Sequence, residues 1–228
     1  MGTPNSFRSV QSFTASANTW SGTIVLDVGD GVEYKEINDQ TTTEIGEITC
    51  CEEWLGIGQS NADGQIGVDG QTMPTEYPVN AVFYRVDDNG VWTKNPSPDS
   101  GYFYQLTMAR ASILRGLPVV YTNQSIGGTS ISTWINGGSS YTTMAANLTS
   151  SGMDESDTGR NVMWYQGESD SGTDADVYRS SLIQLKNTLK TDYGINKMFV
   201  VPVIKNDGGG HIGAIDAVSR DDDLLLGC

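Results

Sequence analysis

The sequence predicts an α/β domain built on a doubly wound parallel sheet, with a small β-rich extension at its N-terminus. Three observations carry this prediction. From Cys51 onward, short apolar runs alternate with longer amphipathic ones, the pattern of βαβ crossovers. The short runs, such as residues 118–122 and 198–204, are continuously apolar, as strands covered on both faces must be. Finally, loops rich in Gly, Asn, Gln and Ser follow three of these runs, at the strand ends where open sheets hold their ligands.

Taken in order, residues 1–20 are rich in Ser, Thr and Asn and read as an arm. Residues 23–28 form a strand candidate, Gly29-Asp30-Gly31 a turn, and residues 33–48 one or two further strands. Residues 1–50 are thus the extension, and 51–228 the α/β domain. Residues 54–58 open the domain as a buried strand. A Pro- and Gly-punctuated excursion over residues 67–100 contains a short strand at 79–84. Residues 101–115 place Phe103, Leu106, Ala109, Ile113 and Leu114 on one helical face, with Gly116 as the cap. The strand at 118–122 follows, then a weaker helix at 141–148 and a strand at 161–165. The clearest helix spans 174–193, with Tyr178, Leu182, Leu185 and Leu189 on one stripe and Gly194 at its end. A strand at 198–204, a short helix at 212–219 and a strand at 224–226 complete the domain.

At 228 residues the chain is long enough to bury a core without staples. Its net charge of −15 repels nucleic acid and anionic membranes and suits a neutral partner such as a glycan. No run is long enough for membrane insertion, and residues 1–10 lack the basic-then-apolar order of a signal peptide. The three cysteines, Cys50, Cys51 and Cys228, make no disulfide framework.

The chemistry concentrates in three strand-end loops: Gly58-Gln59-Ser60-Asn61, Asn123-Gln124-Ser125-Ile126-Gly127-Gly128-Thr129-Ser130, and Trp164-Tyr165-Gln166-Gly167-Glu168-Ser169-Asp170. Acyl transfer needs a nucleophile on a turn that exposes its oxygen, which Ser60 supplies. It also needs preorganised donors for the oxyanion, each worth ~10²–10³ in rate. Gly127-Gly128 lets backbone N–H groups approach, and Gln166 adds a side-chain amide. Trp134 either paves a substrate floor or packs in the core.

Other chemistries fit less well. Gly56-Ile57-Gly58 followed by Asn61 breaks the dinucleotide fingerprint. Asp170, Asp174 and Asp176 lack EF-hand spacing and read as helix-start charges. Asp221-Asp222-Asp223 reads as a solvated turn. No Cys–His cluster supports zinc. Neither metal nor cofactor is expected.

The order Gly-Gln-Ser-Asn, Gly-Gly-Thr-Ser-Ile with a following Trp, and Trp-Tyr-Gln-Gly-Glu-Ser-Asp resembles the SGNH (GDSL-type) hydrolase superfamily. Within it, the sequence is similar to the sialate O-acetylesterase and acetylxylan esterase-like branch, over residues 54–204. The resemblance implies a flavodoxin-like three-layer α/β/α fold and a serine-dependent carbohydrate O-acetylesterase acting on an acetylated glycan. It implies Ser60 as nucleophile and Gly128 as an oxyanion donor. Gln166 stands where other branches place an asparagine side chain. Gln59, Asn61, Gly127, Thr129, Trp134, Glu168 and Asp170 take substrate-side or supporting roles. Ser60, Gly128 and Gln166 are accordingly expected to converge at one sheet edge.

The family's closing Asp-x-x-His is not in the sequence; by position it would follow Cys228. The single histidine, His211, sits in Asp207-Gly208-Gly209-Gly210-His211, which reads as a flexible loop on the crevice rim. Esterase activity of the 228 residues alone is therefore expected to be weak, unless His211, residues past Cys228 or another subunit supply the base. The alternative expectation is a non-catalytic structural or glycan-binding protein of the same fold, such as a virion or cell-surface component. It would assemble into a larger particle, in an extracellular or virion setting rather than a cytoplasmic one.

Overall fold

The computed structural model describes residues 29–37, 42–50, 52–62, 83–87, 89–94, 118–135, 137–154, 160–203 and 209–226. Among these the strands form two sheets. In the first, β1 (Gly29–Ile37) pairs antiparallel with β2 (Thr42–Cys50). Here Gly29-Asp30-Gly31 is not the expected turn but the start of a strand. The register shifts between Gly29 and Val32, so the glycines serve a bulge rather than a reversal. The strand read at 23–28, the helix read at 101–115, and Cys51, Asp207 and Cys228 lie outside the described residues.

The second sheet has seven strands in the order β5-β4-β6-β3-β7-β8-β9. These are β3 (Glu52–Gly58), β4 (Phe83–Val86), β5 (Trp92–Lys94), β6 (Val119–Asn123), β7 (Asn161–Tyr165), β8 (Met198–Val201) and β9 (Leu224–Leu226). All pair in parallel except β5, which is antiparallel to β4. The β4–β5 hairpin turns on Asp87, whose Oδ1 accepts from Asn89 N and Val91 N at 2.9 Å each. Asn89-Gly90 is a strong hairpin signal in the sequence, and it marks the strand that the pattern reading missed. From β3 the chain first builds one flank of the sheet, then crosses over β3 to build β7, β8 and β9 on the other. That makes β3 the switch point, with the crevice beyond the carboxyl ends of β3, β6 and β7.

Three helices are described: α1 (Ser139–Ser150), α2 (Ala175–Tyr193) and α3 (Gly209–Val218). The sequence writes the ends of α2 clearly. Asp174 Oδ1 accepts from Asp176 N at 2.9 Å and Val177 N at 3.2 Å, and Gly194 ends the helix in the left-handed conformation at φ 58°. Tyr178, Leu182, Leu185 and Leu189 are fully buried against one face of the sheet. They join Leu55, Ile57, Val120, Val162, Trp164, Met198 and Val200, together with Met144 and Leu148 of α1. Each such side chain contributes about 2 kcal/mol. Trp54, Val119, Tyr121 and Met163 form a second cluster from the opposite face, as strand alternation requires. The result is the layered α/β architecture that the sequence predicts. β8 ends at Val201, earlier than the apolar run, because Pro202 has no N–H for the ladder.

α3 departs from expectation. It begins at Gly209, so Gly209 and Gly210 are its first turn and not a flexible loop. A Cβ on Gly210 would lie 2.5 Å from the Gly167 carbonyl oxygen, and one on Gly213 2.6 Å from that of Ala175. These glycines let the helix seat directly on the β7 loop and on α2.

Candidate active site

The Ser60 turn starts from a constraint at Gly58. Its φ is +142°, and a Cβ there would sit 2.1 Å from the Tyr165 carbonyl oxygen. Only glycine tolerates both the dihedral and the approach. Gln59 N–H then donates to that same Tyr165 oxygen at 3.1 Å, tying the start of the turn to the end of β7. Gln59 and Ala62 point inward and are buried, at 3% and 1% exposure, while Ser60 and Asn61 between them are partly open. The turn thereby leaves Ser60 partly open just past the end of the central strand.

The loop after β6 runs alongside. Gln124 N donates to Gly56 O at 2.8 Å and Ile126 N to Gly58 O at 3.0 Å, which carries parallel pairing past the end of the sheet. Asn123 Nδ2 donates to Ala62 O at 3.3 Å. Gly127 and Gly128 are exposed, and Gly128 holds φ +71° with open space where a Cβ would be. Conformation, not crowding, calls for glycine there. Thr129 Oγ1 closes the turn by donating to Ile126 O at 2.8 Å.

The third loop locks the other two together through Gln166, which is fully buried. Its Nε2 lies within hydrogen-bond distance of Gln59 Oε1 (3.1 Å), Thr129 O (3.0 Å) and Asp170 Oδ2 (2.5 Å). Its Oε1 accepts from Tyr178 Oη at 2.9 Å. This corrects the expectation that the Gln166 amide faces an oxyanion: two N–H groups already meet three protein acceptors. Asp170 is likewise neither a helix-start charge nor open to substrate. It is 3% exposed, and it accepts from Ile131 N at 2.8 Å and Thr173 Oγ1 at 3.0 Å. Trp134 is core and not floor. Its indole is fully buried, edge-on to Trp164 at 5.7 Å, with Nε1 donating to Thr129 Oγ1 at 3.1 Å.

Glu168 is different. One carboxylate oxygen accepts from Asn61 Nδ2, in the residue after Ser60, while Oε2 is buried with no hydrogen-bond partner. Burial raises its pKa above the ordinary carboxylate value, against the opposing hydrogen bonds from backbone and Asn61. Tyr165 is raised too, by desolvation and then by the Glu168 charge, so the two groups share one environment. His211 lies in the first turn of α3, next to the Gly210 that touches Gly167, with Nδ1 buried and unpartnered. It is therefore helix-borne at the same edge. The Tyr178 hydroxyl is the site component that sequence reading missed. Its place on an apolar helical stripe marks it as core, and nothing in the pattern reports where its oxygen points. Among the described residues, no group of three or more His, Cys, Asp or Glu side chains is placed to hold a metal ion.

Comparison with known proteins agrees with this fold. The family described as carbohydrate esterase, sialic acid-specific acetylesterase, matches residues 52–222. A protein of Arabidopsis thaliana superposes with a TM-score of 0.59 at 17% identity, over 78% of this chain and 85% of that one. A carbohydrate acetylesterase from Xanthomonas citri superposes with a TM-score of 0.58 at 15% identity, over 86% of this chain and 54% of that one. No curated protein matches the sequence. The chain belongs to the sialic acid-specific acetylesterase family of carbohydrate esterases, and its residues 52–222 are a carbohydrate O-acetylesterase-like hydrolase domain.

Proposed function

We propose that the domain removes O-acetyl groups from a carbohydrate with Ser60 as the nucleophile. The observation that carries this reading is the Ser60 turn, partly open on the central strand and bordered by both neighbouring strand-end loops. Ser60 Oγ attacks the acetyl carbonyl. The backbone N–H groups of Ser60 and Gly128 receive the oxyanion, and the sugar hydroxyl leaves. Water then hydrolyses the acetyl-serine, returning acetate and the free enzyme. Gln166 holds the loops and donates nothing to the substrate. Asn61, Gly127 and Thr129 border the sugar.

Glu168 is the ionisable group tied to the Ser60 turn through Asn61. Its raised pKa makes it a stronger base than an ordinary carboxylate, suited to accept the Ser60 proton through a bridging water. Exchanging His211 tests whether its imidazole shares that task. The net charge of −15 favours a neutral acetylated sugar over one bearing its own carboxylate, an effect that fades as salt screens it.

The test is acetate release from acetylated xylan and from O-acetylated sialic acid, by the chain and by its Ser60→Ala, Glu168→Gln and His211→Ala variants. Ser60→Ala is expected to lose at least ~10³-fold with the fold intact. Turnover equal to wild type in Ser60→Ala would overturn the assignment.

A further inference from the structure

We infer that Asp170 and Tyr178 are positioning residues for acyl transfer. They hold the buried Gln166 amide in one orientation, and through it they set the distance between the Ser60 turn and the oxyanion loop. This inference rests on the reading of Ser60 and residues 127–129 as the reacting site.

Gln166 makes no hydrogen bond to Ser60 or Gly128 among the described residues, but it bonds to the residue before one and the residue after the other. Its Nε2 meets Gln59 Oε1 at 3.1 Å and Thr129 O at 3.0 Å. Gln59 Oε1 also accepts from Ser169 N at 3.2 Å, which ties the Glu168 loop to the same point. Three loops from three strands therefore converge on one primary amide. An amide can rotate or flip, and its orientation here is set from outside. Tyr178 Oη, fully buried on α2, reaches both Gln166 Oε1 at 2.9 Å and the Gln166 backbone O at 3.0 Å. The hydroxyl is aimed in turn by Trp164 Nε1, which donates to it at 3.1 Å. With Tyr178 as donor, the carbonyl end of Gln166 faces α2, so the NH₂ end faces the loops.

Asp170 does the complementary work. Its Oδ2 accepts from Gln166 Nε2 at 2.5 Å and from Ile131 N at 2.8 Å, just past the oxyanion loop. Thr173 Oγ1 occupies its other oxygen at 3.0 Å. The oxyanion loop is thus held at Thr129 by Gln166 and at Ile131 by Asp170. A donor near Gly128 displaced by 1 Å loses most of its effect on an oxyanion, because hydrogen-bond energy falls steeply with distance and angle.

The test uses Tyr178→Phe, which keeps the ring and removes only the hydroxyl, and Asp170→Asn, which keeps the shape and removes the charge. Two measurements run on the full 228-residue chain. They are kcat and KM for acetate release, and amide hydrogen exchange resolved by segment. Tyr178→Phe is expected to lower kcat about tenfold and Asp170→Asn about 30-fold, with KM within about twofold, as for one neutral and one charged hydrogen bond. Exchange should quicken in residues 59–62 and 124–134 and stay unchanged in β8 and the rest of α2. Wild-type exchange and turnover in both variants would overturn the inference. So would faster exchange spread evenly over the whole sheet with turnover per folded molecule unchanged, the sign of a purely structural part. If the wild-type chain shows no Ser60-dependent turnover, the esterase reading falls, and exchange alone decides here. Quickening confined to the two loops supports the network, whereas none, or an even spread, overturns it.

Discussion

The two edges of the main sheet solve the same problem with different chemistry. At the amino edge, charge meets charge. Arg160, 1% exposed, donates through Nε and Nη2 to Glu53 Oε2 at 3.0 Å, joining the approach to β7 with the start of β3. Asn161 Nδ2 donates to Glu52 Oε1 at 3.0 Å. Farther along, Lys186 and Lys190 of α2 and Lys197 before β8 converge on the turn before β9. They meet Asp221 at 2.7 Å, Asp223 at 2.5 Å and Asp223 at 3.0 Å respectively. The sequence reads this acidic triplet as a solvated turn; it is a turn, but Asp221 and Asp223 are anchors for three lysines.

At the carboxyl edge the loops are joined mostly by neutral amides and hydroxyls. Two carboxylates take part, and no Lys or Arg is bonded to them among the described residues. Ion pairs resist rearrangement and neutralise their own field, so they suit an edge that only has to stay closed. In the acyl transfer we propose, a neutral network would leave backbone N–H groups such as that of Gly128 unspent for the oxyanion. A resident cation would instead depress the Glu168 carboxyl.

This contrast can be broken from either side. The largest expected effect comes from Arg160→Ala. It leaves Glu53 without its partner and costs about 3 kcal/mol of unfolding free energy in denaturant titration, while acetate release per folded molecule stays as in wild type. A fall in activity matching the fall in stability would show that the edges are coupled.

Glu168→Gln should do the reverse. The amide keeps an acceptor for Asn61 but cannot take a proton, so acetate release is expected to fall about 10²-fold. The stability sign follows from the raised pKa. A carboxyl that titrates higher in the fold than in the unfolded chain favours folding below the unfolded value. That contribution is lost as pH rises through the folded one, so the glutamine variant should melt no lower than wild type at pH 7. A clearly lower Tm there would make Glu168 a structural residue.

The smallest effect is expected at Asp223, where hydrogen bonds from Lys190 and then Lys197 hold the carboxyl down at about 2. Its contribution is present above the ordinary aspartate value of 3.8 and lost as pH falls towards 2. Because these groups are solvated, screening keeps the effect small. Melting curves of wild type and Asp223→Asn should therefore differ slightly at pH 6 and converge near pH 2. Added salt should narrow the gap at pH 6, and a gap indifferent to both would exclude the ion pairs as its cause.

What the sequence determines by itself here is local and periodic. The apolar run at 161–165 and the capped stripe from Asp174 to Gly194 needed no tertiary information, since strand burial, helical spacing and a left-handed glycine are written in neighbouring residues. The three strand-end motifs were legible for the same reason, and with them the edge where the loops of Ser60, Gly128 and Gln166 meet. Which way a side chain faces once it arrives is another matter. Gln166 reads as a free amide until Gln59, 107 residues earlier, and Tyr178, on a helix, occupy it. Trp134 reads equally well as floor or core until Trp164 covers it. Asp170 reads as a helix-start charge until Ile131 N, 39 residues back, claims it. Hydrogen-bond direction depends on partners brought close only by folding, and only the tertiary structure could decide which polar groups remain for a substrate.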